Sequence, residues 1–209
     1  MYGLTKEEIK LFKRLNTPVK IQDFLDGFKI NFEEEGDTCM SPRMVLKERK
    51  CHCIEGAILA ALILRVNGHP PLLVDLEANS RDFDHVITVF KKDGMWGAIT
   101  KTNHAVLRYR EPIYGSIREL VMSYFHEYFD DKGRKNLRAY SLPVNLSRFD
   151  GIGWMITEDE VWEIPEFLAE VKHFPILIKS QIHCLRRADA VEIEAGKIVE
   201  WKENSKKKK

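Results

Sequence analysis

The 209-residue sequence has no long apolar run: the longest, Ala57 to Leu64, is far shorter than a bilayer span, so no membrane partner is expected. It also has almost no net charge. Lys and Arg total 33 against 32 Asp and Glu, a formal +1, and no overall field argues for a nucleic-acid or membrane-surface partner. The basic, apolar and small-residue pattern of a signal peptide is missing from the N-terminal stretch, which predicts a cytoplasmic protein. Cysteines are few. Four of them, two only one residue apart, do not form the framework of a disulfide-stapled secreted domain, and reduced thiols are expected. Internal repeats, low-complexity linkers and calcium-loop patterns are lacking too, and nothing marks a boundary between domains. One domain is predicted over residues 1–203, with a core at about 40–130 flanked by an N-terminal helical and a C-terminal α+β extension, and a disordered basic tail over 204–209. The oligomeric state is not written in the sequence.

What is present begins with helix starts. Thr5 with Glu8, Ser116 with Glu119 and Thr157 with Glu160 each place a capping hydroxyl three residues before a carboxylate, and Ser41-Pro42 offers a fourth start. After Ser116 the apolar residues Leu120, Val121, Tyr124, Phe125, Tyr128 and Phe129 recur at helical spacing. Ile54 to Val66 is apolar nearly all round, with Asn67-Gly68 as a stop and His69-Pro70-Pro71 behind it, which predicts a central buried helix. Leu72 to Leu76 reads as a strand. "HVITVFKKDGMWGAIT" reads as a hairpin turning at Asp93-Gly94, and "AVEIEAGKIVEW" as a second one turning at Ala195-Gly196. The fold class expected is α+β, a helix packed on a mostly antiparallel sheet.

Chemistry concentrates around "RKCHCIEGAILAALILRVNGHPP", residues 49–71. A thiol at Cys53 would stand in the first turn of the buried helix, where unpaired amides and the helix dipole favour the thiolate. A cysteine nucleophile needs a base, and His85 opens the hairpin's first strand. With Asp93-Gly94 as a two-residue loop, Lys92 pairs with Met95 and, counting outward, Ile87 with Thr100, so Thr100 lies diagonal to His85 on one face. A threonine there would orient the imidazole without supplying charge.

Cys53-Ile-Glu-Gly-Ala57, Leu64-Arg65 and Gly68-His-Pro70, followed by Asp84-His85-Val86 and Gly94-Met-Trp96, resemble the cysteine helix and histidine strand of the transglutaminase-like superfamily. The resemblance covers about residues 40 to 105. It implies a papain-like core with Cys53 as nucleophile and His85 as general base; Cys51 falls two residues early. A cysteine-dependent hydrolase or acyltransferase acting on a peptide or protein amide is expected on this basis, and no cofactor or metal is expected. The aspartate that the resemblance places after Trp96 is missing here: Thr100 stands in its position, and Asn103 could orient His85 only if a bulge followed Thr100.

Competing readings are weaker. Cys39, Cys51, His52, Cys53, His183 and Cys184 are the candidates for zinc, but their spacing fits no knuckle of the C-x₂₋₄-C kind. Gly151-Ile-Gly153 reads as a turn, "LRYREPIY" as a strand with a basic face, and Trp154, Trp162 and Trp201 as packing residues. The reading of a different class is a degenerate transglutaminase-like module that binds without catalysing, with the missing aspartate as its main support.

Overall fold

The computed structural model describes residues 1–202 and is α+β, with a mostly antiparallel sheet. The tail expected over 204–209 lies outside the described residues. In chain order come α1 (Lys6–Arg14), α2 (Pro18–Asp26), β1 (Lys29–Ile30), α3 (Pro42–Glu48), β2 (Lys50–Cys51) and α4 (Cys53–Val66). Then follow β3 (Leu72–Ala78), β4 (His85–Lys92), β5 (Met95–Ile99), β6 (Arg110–Tyr114), α5 (Ile117–Met122), β7 (Leu137–Ser141) and β8 (Val144–Asn145). A 3₁₀ helix (Leu146–Ile152), α6 (Glu163–Glu170), β9 (His173–Pro175), α7 (Lys179–His183) and α8 (Ala190–Gly196) complete the order.

The main sheet runs β6-β5-β4-β3-β7-β9, with β8 also paired to β3, and every pairing in it is antiparallel. Period-two alternation gives it two buried faces. Leu73, Val86, Phe90 and Ile99 point to α4, whereas Val74, Leu76, Ile87, Val89 and Ala98 point to α5 and the aromatic residues after it. Helix α4 lies inside the first of these cores, wrapped by α1, α2 and α3 on its far side. A helix with neighbours on all sides has no use for a polar stripe, which accounts for its unbroken apolar sequence. Phe12, Ile21 and Leu25 from the N-terminal helices, Phe28 just after them, and Leu146, Trp154, Ile164 and Leu168 from the C-terminal half are buried in that same cluster. The flanking segments therefore share a core with α4.

Three capping expectations hold. Thr5 and Glu8 form a reciprocal box at α1, Ser41 caps α3 with Pro42 behind it, and Ser116 caps α5. The fourth fails. Thr157 Oγ1 accepts from Asp159 N in a local turn, and Glu160 accepts from the distant Cys39 N, so neither group is free to start a helix, and α6 begins only at Glu163. The C-terminal hairpin is also corrected. Asp189 accepts from Val191 N and Glu192 N while Glu192 accepts from Asp189 N, a capping box that makes "AVEIEAG" a helix; Val199 bridges to His104 instead of to its own neighbour. Helix α5 stops at Met122, earlier than its apolar spacing predicts, although Tyr124, Phe125 and Tyr128 still turn inward. The strand in "LRYREPIY" starts only at Arg110, whose guanidinium is mostly buried and pairs with Glu127 at 2.8 Å, so it forms no free basic face.

Candidate active site

Cys53 owes its position to the two-stranded β1–β2 ladder, which delivers the chain to α4 in extended conformation: His52 is the N-cap residue and Cys53 the first residue of the helix. The turn is held from below by Glu55, whose side chain is fully buried. Its carboxylate accepts from His52 N at 3.0 Å, Met40 N at 3.0 Å, Thr38 Oγ1 at 2.8 Å and Asn31 Nδ2 at 3.2 Å. Gly56 follows because nothing larger fits: a Cβ there would stand 2.7 Å from Lys101 Cβ. Lys101, itself buried, donates from Nζ to Leu25 O and Phe28 O at the end of α2.

His85 arrives from β4. The hairpin pairs Lys92 with Met95 and Thr88 with Ile99, the register counted from the sequence, and it carries His85 and Thr100 to one face at the sheet's end. His85 Nε2 lies 2.7 Å from Thr100 Oγ1, leaving Nδ1 as the nitrogen available to the sulfur. Thr100 is fixed in turn by Gln22 of α2, whose amide accepts from Thr100 N at 3.0 Å and donates to Thr100 O at 2.9 Å. Asn103 is elsewhere. Its Oδ1 accepts from Trp201 N and its Nδ2 donates to Trp201 O, tying down the C-terminal segment. Cys53, His85 and Thr100 are thus brought together, and Asn103 is not.

The three thiols near the helix start differ sharply. Burial pushes the Cys51 thiol up to about 12, opposed by the Lys101 charge and aided by Glu55, and burial drives Cys39 above its ordinary value, with Glu55 and Glu160 adding to it. Cys53 goes the other way. Burial opposes ionisation there too, but it is outweighed by hydrogen bonding and charge from His52 and His85, which bring the thiol down to about 5. His52 is itself held by acceptors: Nε2 is 2.9 Å from Thr38 O, 3.4 Å from Glu55 Oε1 and 3.5 Å from Glu33 Oε1. Burial lowers its basicity, and bonding to Cys53 together with the Glu55 charge overcomes this, raising it to about 9.

Cys53 and His85 open into one cavity of about 270 Å³, whose wall includes Asp82, Asp84, Glu127 and Tyr128. The zinc candidates do not converge. Cys39 Sγ turns to Val161 O, Cys51 packs under Gly56 and Cys184 is exposed. Among the described residues no group of three or more His, Cys, Asp and Glu side chains is arranged to hold a metal ion. No helix among them is long and apolar enough to cross a membrane. His52, Glu55 and Gln22 are the site residues that sequence reasoning did not single out as such. The capping-box spacing of His52 to Glu55 was a usable signal for two of them, whereas Gln22 lies 78 positions from Thr100 with no local pattern. Comparison of the chain with models of protein families and with curated proteins finds no match.

Proposed function

We propose that the protein is a cysteine-dependent amide hydrolase or acyltransferase with a transglutaminase-like, papain-like core, Cys53 being the nucleophile and His85 the acid–base group. The observation that carries the reading is the convergence on one cavity of a thiol at a helix start and an imidazole whose far nitrogen is anchored on Thr100. The Cys53 thiolate attacks the amide carbonyl, a C–S bond forms, and the carbonyl π electrons move to oxygen. The oxyanion meets the Cys53 amide N–H, which lies in the first turn and has no intrahelical acceptor. On collapse the C–N bond breaks while protonated His85 gives its proton to the leaving amine. The thioester is then attacked by water or an amine that yields its proton to His85, and breaking the C–S bond regenerates the thiolate. Thr100 orients the ring without charge, a weaker third member than a carboxylate.

The test is acylation of Cys53. Wild-type protein is incubated with a panel of activated peptide esters and anilides, and intact-mass and peptide mapping locate the adduct; we expect an acyl group on Cys53, absent in Cys53→Ser and not turned over in His85→Ala. If no donor acylates Cys53 and iodoacetamide labels it no faster than Cys184, the catalytic reading fails and a binding module remains.

A further inference from the structure

His52 is the residue that the proposed reaction leaves without a role, and Glu55 is the buried charge it leaves unexplained. Glu55 has no exposed surface, and among the described residues neither Lys nor Arg forms an ion pair with it; His52 does, at 3.4 Å. A carboxylate so enclosed needs a counter-charge as well as hydrogen bonds. The acceptors around His52 also decide its tautomer. A carbonyl and two carboxylates face Nε2, and none of them can donate, so Nε2 carries hydrogen in every state. The remaining nitrogen, Nδ1, is the one that can meet the neighbouring thiol.

From this geometry we propose that His52 is a second functional imidazole, an imidazolium locked between buried Glu55 and the Cys53 sulfur that holds the nucleophile as thiolate independently of His85. The inference rests on the reading of Cys53 as nucleophile. The step is a single proton transfer: the Cys53 S–H bond breaks, its electron pair stays on sulfur, and the proton forms the Nδ1–H bond of His52. That transfer leaves the His52 imidazolium between the Glu55 carboxylate and the Cys53 thiolate; the proton that His85 gives to the leaving amine is a second one, taken up from solvent, and with it the four charges balance. The labour is divided accordingly. His85 can lose its proton to a leaving amine and regain it, while His52, enclosed by acceptors, keeps its own.

The pH profile of Cys53 alkylation tests this. The titratable groups around the sulfur are His52, His85, Cys39, Cys51, Asp75 and Tyr128, with Asp82, Asp84 and Glu127 on the wall of the cavity it shares with His85, and those facing His52 are Glu55 and Glu33. His52→Asn keeps a competent N-cap and removes the titrating ring. With iodoacetamide we expect His52→Asn to shift the profile upward by about one unit or more, a loss of roughly tenfold in rate near pH 6, while His85→Ala retains fast labelling there. A His52→Asn profile that superposes on wild type, or complete loss of fast labelling in His85→Ala, overturns the proposal and leaves His52 a cap alone. Should wild-type Cys53 itself react like an ordinary thiol, the reading of Cys53 as nucleophile falls first, and this inference with it. Nitrogen NMR of the wild-type imidazoles needs no variant: near neutral pH both His52 nitrogens should carry hydrogen, and a neutral ring would refute the assignment.

Discussion

His85 Nε2 and Thr100 Oγ1 stand 2.7 Å apart across the β4–β5 hairpin, two side chains on one face whose strands are held in register from a two-residue turn at the opposite end. That distance makes the hydroxyl the orienting partner of the imidazole, where a charged residue would bind the ring more tightly. Replacing Thr100 by Val preserves shape and deletes the partner. A buried ring nitrogen left without a bond costs about 1–3 kcal/mol, so Thr100→Val should lower kcat/KM for any acyl donor by roughly tenfold or more. Alkylation of Cys53 by iodoacetamide should change far less, since His52 still acts on the sulfur. Thr100→Ser should restore turnover. Equal turnover in wild type and Thr100→Val would show that the hydroxyl orients nothing.

Gln22 reaches the same position from another element. Its amide satisfies both backbone groups of Thr100, and the side chain is nearly inaccessible. Gln22→Leu would bury an unpaired N–H and an unpaired C=O, for an expected loss of about 2 kcal/mol in urea unfolding. Because Thr100 would then drift, turnover should fall along with stability. Unfolding that matches wild type would mean that water replaces the amide.

These two residues mark where the sequence stops being legible. Periodicity, turn chemistry and loop length are local, so the buried α4, the Asp93-Gly94 turn and the diagonal placement of Thr100 against His85 could all be read beforehand. Capping signals were readable only where no distant group competed. Thr5 and Ser116 kept their caps, but Glu160 was claimed by the Cys39 amide, an interaction across 121 positions that no window contains. Asp189-Ala-Val-Glu192 is a capping box that alternating apolar residues disguised as strand. In the sequence His52 reads as a metal candidate because its neighbours are cysteines; its partners Thr38 and Glu33 come from a loop whose approach is decided by tertiary packing.

Asp75 gives the fold a pH dependence of definite sign. Its carboxyl, on β3, bonds to His173 Nε2 at 2.9 Å, yet burial, aided by the charges of Asp84 and Cys53 and opposed by His173, pushes it up to about 6 from 3.8. The folded state therefore binds this proton more tightly than the unfolded state does. The associated stability is fully present below about pH 4 and is lost as the pH rises through about 6. Asp75→Asn cannot titrate. Measured by urea unfolding, its stability relative to wild type should improve between those limits by an amount on the order of 2 kcal/mol. A difference that stays constant with pH would place the titration elsewhere.

Gly56 sits where two opposing effects can be weighed. Alanine favours a helix interior over glycine by about 1 kcal/mol, and Gly56 has ordinary helical backbone, so propensity alone predicts that Gly56→Ala stabilises. Packing predicts the opposite. The added methyl would lie 2.7 Å from Lys101 Cβ and 3.4 Å from Cys51 Sγ, and Lys101 Cβ, one bond from the backbone, cannot swing aside as a side-chain tip can. Overpacking of this kind costs roughly 1–3 kcal/mol, enough to override propensity. The push falls on Lys101, which holds the end of α2, and on the turn that carries Cys53. Gly56→Ala should therefore unfold at lower urea and also label more slowly at Cys53. Gly151→Ala is the matched control, since nothing lies within 4 Å of its added methyl and its φ is not positive; it should be neutral or slightly stabilising. If both variants were stabilised alike, the close approach of α4 to Lys101 would not be a constraint on the site.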